Sequence, residues 1–172
     1  MRPVSELIFI GALNMTELDS TAKESNIRDS IKRYFADNLY KTDGISLTFD
    51  RYLSTPNIQG HAVDRWVSIN FGDMQMSELS THVLNIYCCT RSDGEGFKLA
   101  QLRDKVYKYL VDSTTTDGMA RIPFYRSRAT GAWTLLSTGM VVQDVMESRQ
   151  FEADDGTKYK ILTCRLRFSS KV

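Results

Sequence analysis

Apolar and polar positions alternate with two periods along this chain, and the switches between them outline its elements. Ile27, Ile31, Tyr34, Phe35 and Leu39 recur at three- and four-residue spacing, which places them on one face of a helix spanning roughly residues 22–39. Thr21 and Glu24 fit a capping box at its start, and Asp43-Gly44 supplies a stop and a turn. Ile45, Leu47 and Phe49 then alternate with polar residues, as in a strand buried on one side. Residues 65–71 alternate again, with Val67, Ile69 and Phe71 on one face. Residues 81–90 form a further β-rich run, with Leu84, Ile86 and Cys88 on one side and Val83, Asn85 and Tyr87 on the other. Apolar residues on both faces predict a central strand covered on each side. The intervening residues 72–80, which contain Met74 and Met76, are expected to form a long loop.

After residues 92–96 turn the chain, with Ser92 and Glu95 as a second candidate capping box, helical periodicity returns. Leu99, Leu102, Val106, Tyr109 and Leu110 form its apolar stripe, and a helix this one-sided must lie against the sheet. A polar loop over residues 112–118 leads to residues 121–126, a short strand that Pro123 confines to an edge or a bulge. Residues 127–132 form another polar connection. Two long β runs, 133–151 and 159–168, surround Ala153-Asp154-Asp155-Gly156, whose Asp-Gly pair favours a hairpin turn; Gly139 marks a bulge or bend. The expected fold is α+β: a mostly antiparallel β-sheet flanked by two main α-helices, with a long C-terminal β-hairpin. At 172 residues this is one domain, an arm over residues 1–20 followed by an α+β body over 21–172. The block 65–111 organises it.

The arm contains the apolar run Leu7, Ile8, Phe9 and Ile10. Glu6 interrupts the surrounding apolar stretch, which is also far short of the ~20 residues of a membrane span, so neither a signal peptide nor a span is expected. Such an arm docks either on its own domain or on a neighbouring subunit. Composition narrows the partners. Twenty-two basic residues against 21 acidic ones leave a formal charge of +1, unlike the basic excess of a dedicated nucleic-acid binder, and equally unsuited to an anionic membrane surface. Cys88, Cys89 and Cys164 are an odd set, two of them adjacent, and sit in apolar strand patterns; they are expected to be buried free thiols in a reducing cytosol.

No catalytic vocabulary is visible. The chain lacks a glycine-rich phosphate loop, a nucleophile elbow and a zinc-binding His-Glu-x-x-His run. His61 and His82 are isolated, with no ligand-spaced Cys or carboxylate, so no metal is expected. Gly94-Glu95-Gly96 before a helix lacks the later glycine and lysine of a phosphate cradle. We expect neither catalysis nor a cofactor. Charge patterning offers more. Arg126, Arg128, Arg165 and Arg167 form a candidate basic stripe, open to three readings: solvated arginines, a subunit contact, or contacts to nucleic-acid phosphate. The hairpin tip is acidic, with Glu147, Glu152, Asp154 and Asp155.

The order of elements resembles the tail terminator (tail completion) proteins of long-tailed bacteriophages. The likeness runs over roughly residues 26–111: the helix at 27–39, the strand at 45–50, Trp66 to Phe71, then Leu84-Asn-Ile-Tyr-Cys-Cys-Thr90-Arg91. Asp93-Gly94 and the helix with Leu99, Leu102, Asp104 and Val106 complete it. The resemblance implies a virion protein of the tail or neck, assembled in the host cytoplasm into a homo-oligomeric ring, usually of six copies. Such a ring caps the tail tube, halts its polymerisation and docks the neck or connector. Its partners would be its own copies, the tail tube protein, the neck protein and possibly a sheath, with DNA only in transit and no membrane. The alternatives are another neck, gateway or baseplate-proximal virion protein of similar fold, or a nucleic-acid-binding module. On the assembly reading, the interface candidates are Leu7, Ile8, Phe9 and Ile10 of the arm, Met74 and Met76, and Glu152, Asp154 and Asp155 with the four arginines.

Overall fold

Helix α1 (Lys23–Phe35) continues into a π-helical stretch, Ala36–Thr42. Ile27, Ile31, Phe35 and Leu39 along it are fully buried, so the periodic stripe is the buried face, although regular α-geometry ends at Phe35, before the expected limit. The chain leaves the helix through an amide–carbonyl bond from Gly44 to Tyr40 (3.0 Å) and another from Ile45 to Leu39 (2.9 Å). The computed structural model describes residues 23–53, 55, 63–114, 118–129 and 132–169. The arm with Leu7, Ile8, Phe9 and Ile10, the cap candidate Thr21 and the loop histidine His61 lie outside the described residues.

The strands are β1 (Ser46–Phe49), β2 (Arg65–Gln75), β3 (Leu79–Thr90), β4 (Arg121–Ala129), β5 (Ala132–Glu147), β6 (Phe151–Glu152) and β7 (Lys158–Ser169). Helix α2 (Phe97–Tyr107) lies between β3 and β4. They form one sheet in the order β1-β2-β3-β7-β5-β4, with β6 pairing β7. The β1–β2 pair is parallel and the other pairings are antiparallel. The fold is therefore α+β with a mostly antiparallel sheet, as the alternating runs predict.

Both helices cover the same face of the sheet. Val67 and Ile69 of β2, Leu84, Ile86 and Cys88 of β3, and Leu162, Cys164 and Leu166 of β7 point inward and are fully buried. They share one cluster with Ile27, Ile31 and Phe35 of α1 and Leu99, Leu102 and Val106 of α2. Burial of each such side chain contributes about 1.5–3 kcal/mol. The expectation that β3 is covered on each side is thus corrected: Thr81, Val83, Asn85 and Tyr87 on its second face are only half-buried. Strand β3 is central because β2 and β7 flank it, and mixed apolar content in a strand reports neighbours as well as cover.

Two expected connections are shorter than they read. Strand β2 continues to Gln75 and β3 begins at Leu79, so residues 72–80 are mostly strand around a bulge between Phe71 and Met74. The polar residues 127–132 lie mostly in β4 and β5. The long hairpin is also shared. Residues up to Val141 pair with β4, and from Val141 onward β5 pairs with β7. Only this second half, with β6, forms the two-stranded return around the turn at 153–156. Gly139 sits opposite Pro123, where a Cβ would stand 2.9 Å from the Ile122 carbonyl oxygen, so the close strand approach excludes a side chain. Strand β4 is a sheet edge, as Pro123 indicates. Ser30 of α1 blunts it: its hydroxyl accepts the outward N–H of Tyr125 (2.9 Å), which would otherwise remain an open template for another strand.

Helix α2 is capped by a residue the sequence reading overlooked. Its N-cap is Gly96, with φ +79 and no side chain to offer; a Cβ there would also meet Gln150 Oε1 at 2.4 Å. Asp93 takes over the capping role. It accepts the amides of Leu99 (2.9 Å) and Lys98 (3.3 Å) and the hydroxyl of Thr90 (3.2 Å). Burial alone would raise its pKa, yet these donors hold it below the usual carboxylate value. The Ser92–Glu95 box is therefore corrected, because Ser92 sits at φ +52 in the turn and the helix starts later than the box requires. Asp93→Ala should destabilise the protein by about 1–2 kcal/mol, the usual worth of a cap. Ser92→Ala and Glu95→Ala should lie within about 0.5 kcal/mol of the parent. Urea denaturation of the three variants measures the difference.

Candidate functional site

Three features stand apart from the packed core: the open face of the sheet, its projecting hairpins, and a cleft where α1 begins. The candidate arginines lie mostly on or beside the open face, yet they do not form one stripe. Arg165 and Arg167 project from β7 on the face opposite Leu166, while Arg126 pairs with Thr134, seven residues along β5 from the Val141 that faces Arg167. That separation is about 23 Å at strand rise. The side chain of Arg128 lies outside the described residues. Arg121 takes the neighbouring place instead, since Arg121, Val141 and Arg167 share one row across β4, β5 and β7. Arg165 is 3.7 Å from Asp144, which leaves Arg121 and Arg167 without an ion pair among the described residues.

The acidic turn is also thinner than it reads. Glu147 lies away from the tip, between Arg103 (2.6 Å) and Lys160, and hydrogen bonding by Arg103 outweighs burial to hold its pKa low. Asp155 accepts the Thr157 amide (3.0 Å) and pairs with Arg91 (3.3 Å). Glu152 and Asp154 remain exposed and unpaired among the described residues. Opposite unpaired charges thus mark the two ends of the β5–β7 return.

Two hairpins carry apolar side chains into solvent. Leu135 on the β4–β5 pair is 62% exposed and Trp133 beside it 37%. Trp133 is partly held, with Tyr125 edge-on at 6.1 Å and the Arg33 guanidinium 5.5 Å from its ring. At the β2–β3 tip, Met76 and Leu79 are about half exposed, whereas Met74 packs partly against the core. Across the open face, Tyr52, Tyr87, Tyr159 and Phe151 form a chain of ring contacts with centroids 4.9, 6.3 and 5.3 Å apart. Sequence could not disclose this band, because its members come from four separate segments.

The cleft lies between the first turn of α1 and the β2–β3 pair, with a volume of about 310 Å³. Glu24, Arg28, Phe71, Met74, Met76 and His82 line it. The Arg28 guanidinium stacks 4.5 Å from the centre of the Phe71 ring and pairs with Asp50. His82 stacks on the other side of the set, 5.8 Å from Phe71, and is buried. Its Nδ1 lies 3.2 Å from the Asp73 carbonyl oxygen. A carbonyl only accepts, so Nδ1 carries the proton and Nε2 is an acceptor, and Nε2 has no partner among the described residues. The expectation of no metal at His82 rested on spacing; its contacts to a ring and a carbonyl were not legible there.

The thiols offer no nucleophile. Burial pushes Cys89 and Cys164 up to about 12 and raises Cys88 as well. No group of His, Cys, Asp and Glu suited to a metal occurs among the described residues, and none of their helices is long and apolar enough to cross a membrane.

No family model matches the chain, and no curated protein matches it. Solved structures do share its architecture. One, whose name states no function, superposes with a TM-score of 0.52 over 83% of this chain and 95% of its own, at 8% identity. That likeness shows the fold. A looser match, with a TM-score of 0.48 and 15% identity, is to a chain from the virion of a native gene transfer agent particle, over 87% of this chain and 99% of that one.

His82 gives a test of the cleft. Burial lowers its pKa, with Arg28 adding to the effect and the Asp73 carbonyl, Glu24 and Asp50 opposing it. The unfolded chain then binds the proton more readily, so the stabilisation is complete above the unfolded value of about 6.5 and is lost as pH falls below it. The melting temperature should decline between pH 6.5 and 5.5, ahead of the carboxylates. His82→Gln should flatten that decline in parallel thermal melts, whereas an unchanged slope would place the titration elsewhere.

Proposed function

We propose that this chain is a non-enzymatic virion structural protein that assembles head-to-tail into a ring, usually of six copies, and acts as a tail terminator. The ring caps the tail tube, stops its growth and presents a docking surface to the neck or connector. The observation that carries this reading is the apolar side chains that two projecting hairpins hold in solvent, Leu135 and Trp133 on one and Met76 and Leu79 on the other, beside the separately exposed Phe97 and Met146. Exposed apolar residues grouped on protrusions mark protein-protein contact.

Two further features support it. The order of helix, strands, Asp-Gly turn and second helix resembles the tail terminator family, and those elements form the scaffold from which the hairpins project. The unpaired Arg121 and Arg167 at one end of the β5–β7 return, and Glu152 and Asp154 at the other, suit a heterologous contact between identical copies. Such contacts close into rings when the rotation permits, and charges of this kind set register and orientation more than affinity.

The test is assembly. Native mass spectrometry of the purified protein, alone and with tail tubes, should show a closed multimer, by expectation a hexamer. Leu135→Asp should shift the mass toward monomer while moving the melting temperature by less than about 2 °C, because the substituted site is surface-exposed. A monomer that also ignores tubes would overturn the reading. Deletion of the gene in its phage should give overlong tubes; tails of normal length that fail to join heads would assign the protein to the neck instead.

A further inference from the structure

The cleft beside α1 has an apolar wall set among the polar side chains of Glu24, Arg28 and His82. Its lining combines Phe71 with Met74 and Met76, whose unbranched thioether chains adapt to irregular partners. The complementary ligand therefore brings apolar side chains. Arg28 is already committed to Asp50 and Glu24, so the cleft does not call for an anion.

We propose that the occupant is the Leu7-Ile8-Phe9-Ile10 segment of the neighbouring copy in the assembly, an inference that rests on the ring reading above. The described chain begins at Lys23, one residue before Glu24, which lines the cleft. The arm therefore departs from the rim of its own cleft. Twelve residues, 11–22, separate Ile10 from that point and extend over at most about 40 Å. A globular body of this length has a radius of gyration near 16 Å, hence a diameter of about 40 Å. Fully extended, the arm reaches one subunit across, where the identical cleft of the next copy stands. Docking on its own cleft would instead require those residues to loop back to their starting point. The polar make-up of the connector, with Asn14, Thr16, Glu17, Asp19 and Ser20, suits a span crossing the surface.

Disulfide trapping tests the exchange, since the native thiols Cys88, Cys89 and Cys164 are all buried. Ile8→Cys and Met76→Cys chains, prepared separately, mixed and mildly oxidised, should give a crosslinked dimer. The chain carrying both substitutions should give a ladder ending at the ring size. Adding Met74→Glu should abolish the crosslink without unfolding the protein, as judged by its thermal melt. A double-cysteine chain that crosslinks only within itself would overturn the proposal in favour of the chain's own cleft. Rings that remain intact with no crosslink would overturn it while leaving the ring reading in place. A wild-type monomer by native mass spectrometry that also fails to assemble on tail tubes would remove the ring reading itself.

Discussion

Placing both helices on one face of a seven-stranded sheet constrains everything else in this molecule. The inner face is saturated: Ile86 and Cys88 of β3, Cys164 and Leu166 of β7 and the stripes of α1 and α2 share one cluster. Among the described residues the outer face receives no helix. Part of it is buried around Thr48, Trp66, Ser68 and Cys89, where the Arg91 guanidinium lies 5.4 Å from the Trp66 ring. The remainder carries Thr81, Val83, Asn85, Thr163 and the arginines, half-covered at most. A sheet of this kind is stable alone because one face suffices for burial, and it leaves the second face and the strand extensions available for partners.

The extensions follow from strand length. Strand β5 has 16 residues, longer than one antiparallel partner serves, and the structure divides it between β4 and β7 at Val141. This division carries Trp133 and Leu135 out on the β4–β5 pair while the later half closes the sheet with β7. The pair is anchored where it passes α1. Ser30 bonds the Tyr125 amide, and Arg33 lies 4.2 Å from the Tyr125 ring. An anchored hairpin presents its apolar tip with little conformational entropy left to lose on binding. Exposed apolar side chains on a loose tip would contribute less to an interface.

Most of the scaffold was legible because its signals are local. The α1 stripe, the alternation of β1, β2 and β7 and the Asp-Gly turn each follow from side chains within one element. What was missed depends on pairing across the sheet. Residues 72–80 look like a loop because Gly72, Asp73 and Ser77 are poor strand formers, yet pairing with β3 carries Met74 and Gln75 into the ladder. The cap moved from Ser92 to Asp93 because Thr90 hydrogen-bonds the carboxylate, a tertiary detail of where β3 ends. The four arginines read as one stripe only while β4 was free to lie beside β7. Inserting β5 between them separated Arg126 from Arg167 and put Arg121 in its place. The cleft was the least legible, since Arg28, Phe71 and His82 meet only after α1 folds over the β2–β3 pair.

The unpartnered polar groups follow the same division between satisfied and open regions. Among the described residues, Thr48 Oγ1, Trp66 Nε1, Ser68 Oγ and Asn70 Nδ2 lack partners on the outer side of β1 and β2, His82 Nε2 lacks one in the cleft wall, and Thr157 Oγ1 lacks one beside the turn at 153–156. Each buried group of this kind costs about 1–3 kcal/mol unless a partner is supplied. The inner core has a different character: hydrocarbon, buried thiols and an edge N–H satisfied by Ser30. Most of this unmet hydrogen-bonding capacity therefore lies along the first strands and the cleft wall, with Thr157 at the β6–β7 turn apart from them. A fold that confines its unsatisfied groups in this way keeps the cost away from the packing that defines it.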